Sequence, residues 1–170
     1  METAKTPFYE IPYSSTMAGD LYMTAYNIEE WNDYYNFKAV RLDLDYLFQR
    51  DPFFNKLYQN HKFVPGLIRM DPHTYYNWHT DTNRGVSINM LLTFEGNSVC
   101  MFSKEKTNDM SGSFIPLHYM PSTYYLFNNQ IPHTIYNFDR PRYLFSLEFA
   151  EDKNKLTFNQ LRKEMIYEFS

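Results

Sequence analysis

The stretch that decides the fold is Tyr75-Tyr76-Asn77-Trp78-His79-Thr80-Asp81-Thr82-Asn83-Arg84, with the triplet His79-Thr80-Asp81 at its centre. If this stretch is a β-strand, successive side chains point to opposite faces, so His79 and Asp81 share one face with Thr80 opposite. Two ligands side by side can occupy neighbouring positions around a metal ion. A third ligand must then come from elsewhere in the chain, and His133 is the candidate.

Two histidines and one carboxylate on one face of an open site make the facial triad of non-haem Fe(II) sites. A His-x-Asp triplet also arises by chance, and a lone histidine is more often a core or surface residue than a ligand. Three features favour the metal site. The triplet lies early in a β-rich region, His133 follows several strands later, and Arg142 comes on the strand after His133.

Short apolar segments follow one another along most of the chain. Alternation of apolar and polar residues, bounded by turn residues, predicts strands over 38–44, 63–70, 75–84, 86–94, 98–102, 114–119, 123–127, 133–137 and 142–149. The internal proline of 114–119 makes that segment an edge strand. Short strands at this spacing are typical of a sandwich or barrel.

Helices are predicted on both sides of this region. Residues 45–58 have helical spacing that Pro52 divides in two, with Asp51 as the cap of the second piece. A last helix over 157–169 begins at a capping box of Thr157 and Gln160. Its apolar stripe is Phe158, Leu161, Met165, Ile166 and Phe169.

The last predicted strand has two different faces. Tyr143, Phe145, Leu147 and Phe149 form an apolar face that we expect to pack on a helix or on the opposite sheet. Arg142, Leu144, Ser146 and Glu148 would face a cleft. An arginine directed inward needs an anion, since an unpaired buried charge is costly. That anion is either a bound carboxylate or an internal partner such as Glu148 or Asp139.

Other residues are weaker candidates for a role in the site. Asn89 is polar within an apolar strand and could bond a co-substrate, a metal ligand or a backbone group, and Ser146 could bond the same anion as Arg142. Arg84 is expected at the cleft mouth, and Tyr76 and Trp78 beside the site. The remaining histidines are expected at the surface or in solvent: His61, His73 and His118.

Composition limits the classes of protein that fit. A chain of 170 residues is expected to form one domain, and its 19% aromatic content suits a β-rich core. A net charge of −4 with no basic stripe disfavours nucleic acid as a partner. The single cysteine, Cys100, excludes an internal disulfide. The sequence has no apolar run long enough to span a membrane and no signal peptide, so we expect a soluble cytoplasmic protein.

With these residues identified, the sequence resembles the 2-oxoglutarate- and Fe(II)-dependent dioxygenases. It is most similar to small aspartyl/asparaginyl- and prolyl-hydroxylase-like members, many from bacteria and phages, so a phage origin would suit it. The likeness covers residues 65–150 and lies in Trp78-His79-Thr80-Asp81, the segments 84–92, 95–102 and 121–127, His133-Thr134-Ile135-Tyr136-Asn137 and Arg142-Tyr143-Leu144-Phe145-Ser146. Ser122 replaces the glycine usual before the distal histidine, and Asp81 is present where the aspartyl hydroxylase branch often lacks the carboxylate.

The resemblance implies a mainly β double-stranded β-helix of jelly-roll or cupin-like type, formed by 65–150. Residues 1–60 and the helix over 157–169 would support it within a single domain, 1–170. Fe(II) would be held by His79, Asp81 and His133, and 2-oxoglutarate by the metal and Arg142. The implied reaction hydroxylates a protein side chain, peptide or free amino acid and releases succinate and CO₂. Two alternatives stay open: a small-molecule or nucleobase oxygenase, and a non-catalytic cupin-like binding protein.

Overall fold

The computed structural model describes residues 6–104 and 113–170. These residues contain four helices and eleven strands, and the strands form two antiparallel sheets. The larger sheet has seven strands in the order β1 (Phe8–Ser14), β9 (Thr123–Asn128), β6 (Val86–Leu91), β11 (Arg142–Phe149), β4 (Phe63–Met70), β3 (Lys38–Arg41) and β2 (Asn32–Asp33). The smaller sheet has four, in the order β5 (Thr74–His79), β10 (His133–Asn137), β7 (Ser98–Ser103) and β8 (Phe114–Leu117).

The helices cover the outer face of the larger sheet. They are α1 (Ala18–Asn27), α2 (Leu44–Arg50), α3 (Pro52–Asn60) and α4 (Phe158–Glu168). The main core lies between them and the sheet, and it includes the apolar face of β11: Tyr143, Phe145, Leu147 and Phe149. A smaller core joins the two sheets and contains Cys100, Phe102, Leu117, Tyr125, Phe127 and Ile131. The architecture is the predicted double-stranded β-helix with supporting helices.

Most predicted elements are present, with altered ends. The prediction of a helix break at Pro52 is confirmed, and Asp51 caps α3 by accepting a hydrogen bond from the Phe53 amide. The prediction of an edge strand near residue 114 is confirmed by the position of β8. Strand β3 ends at Arg41 instead of residue 44, because Asp43 caps α2 and Leu44 begins that helix.

Two details of the last helix differ from the prediction. The Thr157 side chain accepts from the Gln160 amide, but the Gln160 side chain turns to Glu164 instead of completing a capping box. Ile166 is 44% exposed, so the expected apolar stripe is narrower, with Phe158, Leu161 and Met165 as its buried members.

His61 is the clearest error among the histidines. It was expected in solvent, but it is buried between Glu151 and Glu164, with one ring nitrogen on each carboxylate. His73 and His118 are exposed, as expected. Most of the polar segment 104–113 lies outside the described residues. Within the described ranges, no helix combines the length and apolar character that crossing a membrane requires.

Candidate active site

The two histidines of the predicted triad are brought together by strand pairing. His133 on β10 is the register partner of His79 on β5. The Nδ1 of His79 lies 2.6 Å from the Asn77 carbonyl oxygen, and the Nδ1 of His133 lies 2.9 Å from the Ile131 carbonyl oxygen. A carbonyl only accepts, so each Nδ1 carries the hydrogen and each Nε2 is left free to bind a metal.

Asp81 completes the cluster from outside a strand. Because β5 ends at His79, the carboxylate is placed by a loop and not by the strand alternation we expected. Its Oδ1 lies 3.7 Å from the Nε2 of His79 and 4.0 Å from the Nε2 of His133. One donor atom from each of the three residues lies within 4.8 Å of the others. This donor set suits Fe(II) and related transition metals.

The second oxygen of Asp81 is already bonded. Its Oδ2 forms an ion pair with the Nε of Arg84 at 2.6 Å and accepts a hydrogen bond from the Nδ2 of Asn129 at 2.9 Å. Arg84 was expected only at the cleft mouth, where it does line the opening. Asn129 was missed, because nothing in the sequence links the loop after β9 to a loop far earlier in the chain.

Burial sets the charge of the distal histidine. The pKa of His133 is lowered to about 4, first by burial and second by the neighbouring His79, against the opposing influence of Asp81. His133 is therefore a neutral imidazole at neutral pH, which is the form that binds metals.

Arg142 lies in the cavity between the sheets and is buried. One of its terminal nitrogens, Nη2, lies 3.3 Å from the hydroxyl of Tyr119. Among the described residues its Nε has no hydrogen-bond partner, and neither Glu148 nor Asp139 forms an ion pair with it. Glu148 is exposed, and Asp139 instead accepts from the Asn97 amide. The internal salt bridge considered for Arg142 is thus not formed within the described ranges.

Polar groups line the cavity near Arg142. Ser146 and Asn89 are register partners on β11 and β6, are both buried, and both line the cavity that contains His79 and His133. Asn89 donates to the hydroxyl of Ser87. Tyr119 was not singled out in the sequence. Burial raises its pKa well above the usual range, so it stays a neutral phenol beside the guanidinium.

A wider cleft continues outward from this cavity. It has a volume of about 490 Å³ and shares Phe37, Ile68, Arg84 and Ser146 with the inner cavity. Phe37 belongs to the turn between β2 and β3 and contacts Tyr76, which in turn stacks on the His79 ring at 3.7 Å. The site is therefore buried at the Arg142 end and open at the Arg84 end.

Comparisons with known proteins identify the fold. No protein-family model matches the chain, and no curated protein sequence does. Among solved structures, a prolyl-4-hydroxylase from Pseudomonas putida is similar over 87% of this chain and 94% of its own, with 17% identity and a TM-score of 0.60. A Trichoplax adhaerens prolyl hydroxylase solved with a hypoxia-inducible-factor peptide covers 86% and 84%, with 12% identity and a TM-score of 0.61.

HygX from Streptomyces hygroscopicus, solved with nickel and 2-oxoglutarate, covers 86% of this chain and 83% of its own. Its identity to this chain is 10% and its TM-score is 0.58. The chain therefore has the fold of the 2-oxoglutarate- and Fe(II)-dependent oxygenases, including prolyl hydroxylases. The resemblance found in the sequence is confirmed at the level of the fold. Identities this low do not carry the function across, and that step depends on the site.

Proposed function

We propose that this chain is an Fe(II)- and 2-oxoglutarate-dependent dioxygenase, a single domain over 1–170 that hydroxylates a protein side chain, peptide or free amino acid. One observation carries the proposal. The two histidines of a metal-type cluster and a buried arginine, which has no carboxylate partner among the described residues, line the same cavity between the two sheets. A degenerate, non-catalytic relative would have no reason to keep both.

The metal would be held by Nε2 of His79, Nε2 of His133 and Oδ1 of Asp81. Two histidines and one carboxylate form an open donor set, which would leave room at the metal for small molecules. When bound, Fe(II) would supply the oxidation of a C–H bond by O₂, with one oxygen atom passing to the substrate and the other to 2-oxoglutarate, which is converted to succinate and CO₂. The protein holds both, orients the substrate and limits the entry of water.

Arg142 would bind the distal carboxylate of 2-oxoglutarate. A guanidinium pairs well with a carboxylate because two parallel N–H bonds can form. Because Arg142 is buried, a carboxylate partner would offset the high free-energy cost of an unpaired charge in a low-dielectric interior. The hydroxyl of Ser146 and the amide of Asn89 are further polar groups of the same cavity, and the neutral hydroxyl of Tyr119 contacts Arg142.

The substrate would enter by the outer cleft. Its volume of about 490 Å³ accommodates a side chain together with part of a peptide, or a small polar molecule. Solved proteins of this fold take both kinds of ligand: the Trichoplax enzyme was solved with a peptide and HygX with hygromycin B. The cleft contains charges of both signs, with Arg41 and Arg84 opposed by Glu148. That mixture favours a substrate with polar or zwitterionic groups.

An anaerobic titration of the purified protein with Fe(II), followed by 2-oxoglutarate, tests the proposal. We expect the visible charge-transfer band of the chelated complex to appear in the wild-type protein and to require 2-oxoglutarate. Metal binding without the band would favour a cupin-like metal-binding protein. If the band appears, 2-oxoglutarate consumption coupled to oxidation of added peptides, free amino acids or nucleobases separates the substrate classes.

A further inference from the structure

Asp81 is held in place by contacts from a distant loop. Because it lies beyond the end of β5, strand geometry does not orient its carboxylate. The Asp81 amide donates to the Asn129 carbonyl oxygen at 3.0 Å, and the Asn129 side chain donates back to Oδ2 of Asp81. The next residue, Gln130, uses its Nε2 to reach the carbonyl oxygens of both Asp81 and Arg84, each at 2.8 Å.

We propose that Asn129 and Arg84 are positioning residues that clamp Oδ2 of Asp81, so that only Oδ1 is offered to the metal. The proposal rests on the metal role proposed for Asp81. A hydrogen bond from Asn129 and an ion pair with Arg84 on the same oxygen oppose rotation of the carboxylate, and they make Oδ2 a poorer ligand than Oδ1. Asp81 is thereby kept as a one-oxygen ligand.

The burial of Asn129 supports a specific role over general loop packing. Asn129 is 3% exposed, and its Oδ1 has no hydrogen-bond partner among the described residues. Leaving a buried carbonyl oxygen unpaired is unfavourable. The amide orientation is set by the bond from Nδ2 to Asp81, because turning the amide over would put two oxygens against each other.

A one-oxygen carboxylate matters to the chemistry of the proposed site. An open metal site works only if positions remain for co-substrate and oxygen. A carboxylate that bound through both oxygens would occupy one of those positions. The clamp would therefore keep a position at the metal open and would also hold the Asp81 carboxylate in one orientation. Residues that orient metal ligands commonly affect metal affinity.

Cobalt(II) binding under anaerobic conditions tests the clamp without relying on turnover. Co(II) occupies such sites and reports its coordination number through its visible absorption. We expect Asn129→Ala and Arg84→Gln to weaken Co(II) binding by about 10- to 100-fold and to change the absorption band. Arg84→Lys should restore part of the affinity, because a cation is returned to Oδ2. Calorimetry gives the dissociation constants, and thermal unfolding verifies that each variant is folded.

Matched controls remove the same chemical groups away from the clamp. Asn83→Ala truncates an exposed asparagine of the loop that carries Asp81, and Arg140→Gln breaks an exposed ion pair with Glu95. Both should bind Co(II) like the wild-type protein. If Asn129→Ala does not fold, the Arg84 series decides alone, since that side chain is 32% exposed.

Failure of the clamp proposal and failure of the proposed metal role of Asp81 give different results in this experiment. If Asn129→Ala and Arg84→Gln keep wild-type affinity and absorption while His79→Ala loses binding, the metal site stands and the clamp is overturned. If the wild-type protein does not bind Co(II) at all, the metal role of Asp81 is wrong, and the clamp proposal falls with it.

Discussion

His79 and His133 are direct register partners on adjacent antiparallel strands, and their ring centroids lie 4.3 Å apart. Each ring is fixed by a hydrogen bond from its own Nδ1 to a carbonyl oxygen two residues earlier in the chain. The pair is therefore held by backbone pairing and by local hydrogen bonds at once. Because of this preorganisation, binding of a metal would need little rearrangement at these two residues.

Removing either histidine should abolish tight metal binding. We expect His79→Ala and His133→Ala each to weaken Fe(II) binding by more than about 100-fold, because losing a ligand exceeds the effect of losing a supporting residue. Equilibrium dialysis under anaerobic conditions measures this loss. The exposed His73 and His118 serve as controls, and their alanine variants should bind Fe(II) normally. Unchanged binding in His79→Ala would disprove the triad.

Arg142→Ala should separate co-substrate binding from metal binding. Truncating one partner of a buried charge pair costs roughly 2–5 kcal/mol, so the affinity for 2-oxoglutarate should fall steeply while Fe(II) affinity stays near the wild-type value. Arg142→Lys should be intermediate, because a point charge lacks the planar pair of donors. Titration of each variant with 2-oxoglutarate in the presence of Fe(II) measures the difference. Equal loss of both affinities would indicate misfolding instead.

The features that could be predicted are those that depend on residues close together in the sequence. Strands such as β6 and β11 follow from alternation and short apolar runs, and the α2–α3 break follows from Asp51 and Pro52. His79, Asp81 and His133, which the structure brings together, could be grouped from the sequence because their residue types and order are restrictive. The inward face of β11 could be assigned because Arg142 and Ser146 alternate with large apolar residues.

The errors concern contacts between distant segments. Nothing local indicates that residues 8–14 pair with β9, that Asn129 holds Asp81, or that Tyr119 meets Arg142. His61 looked solvated because its neighbours in the sequence are polar, yet its carboxylate partners come from the other end of the chain. These contacts depend on the order of the strands in the sheets and on the paths of the loops. Short segments of a single sequence do not reveal either.

Asp51 should be a major source of stability for the N-terminal part. It is fully buried, caps α3 through the Phe53 amide, and accepts from the Tyr13 hydroxyl at 2.7 Å. We expect Asp51→Ala to lower the free energy of unfolding by about 2–4 kcal/mol, from the lost cap and the unsatisfied hydroxyl. Asp51→Asn keeps an acceptor oxygen and should lose less. Urea denaturation measures both, and equal losses would show that the hydrogen bonds are not the cause.

His61 should make stability depend on pH. Burial lowers its pKa, but the hydrogen bonds and charges of Glu164 and Glu151 outweigh burial, so the pKa is raised above 6.5. The contribution is fully present below the unfolded-state pKa, while both glutamates stay ionised, and it is lost as the pH rises through the folded-state pKa. Its size is about 1 kcal/mol, because both carboxylates are partly exposed.

The comparison of wild type with His61→Gln measures this dependence. The difference in unfolding free energy should be largest near pH 6 and should shrink toward higher pH. A His73→Gln variant, which removes an exposed histidine, should show no such trend. A difference that stays constant across this range would mean that His61 contributes by packing and not by its charge.

Gly85 should be required for the packing of the loop that carries Asp81. A side chain at this position would overlap the Leu156 carbonyl oxygen and crowd Lys153. Gly85→Ala must push this segment away, at a cost of about 1–3 kcal/mol. The Gly85 carbonyl oxygen also accepts from the Asn129 amide, so the displacement should reach the clamp on Asp81 and weaken Co(II) binding.

Gly19→Ala is the matched control for this substitution. Gly19 lies in α1 with open space around the added methyl group, so alanine there should be neutral or stabilising by up to about 1 kcal/mol. Thermal unfolding and Co(II) calorimetry on both variants separate the effects. A Gly85→Ala protein as stable as wild type would show that the 153–156 segment moves freely away from the loop. Loss of stability with intact Co(II) binding would show that the loop keeps Asp81 in place without this packing.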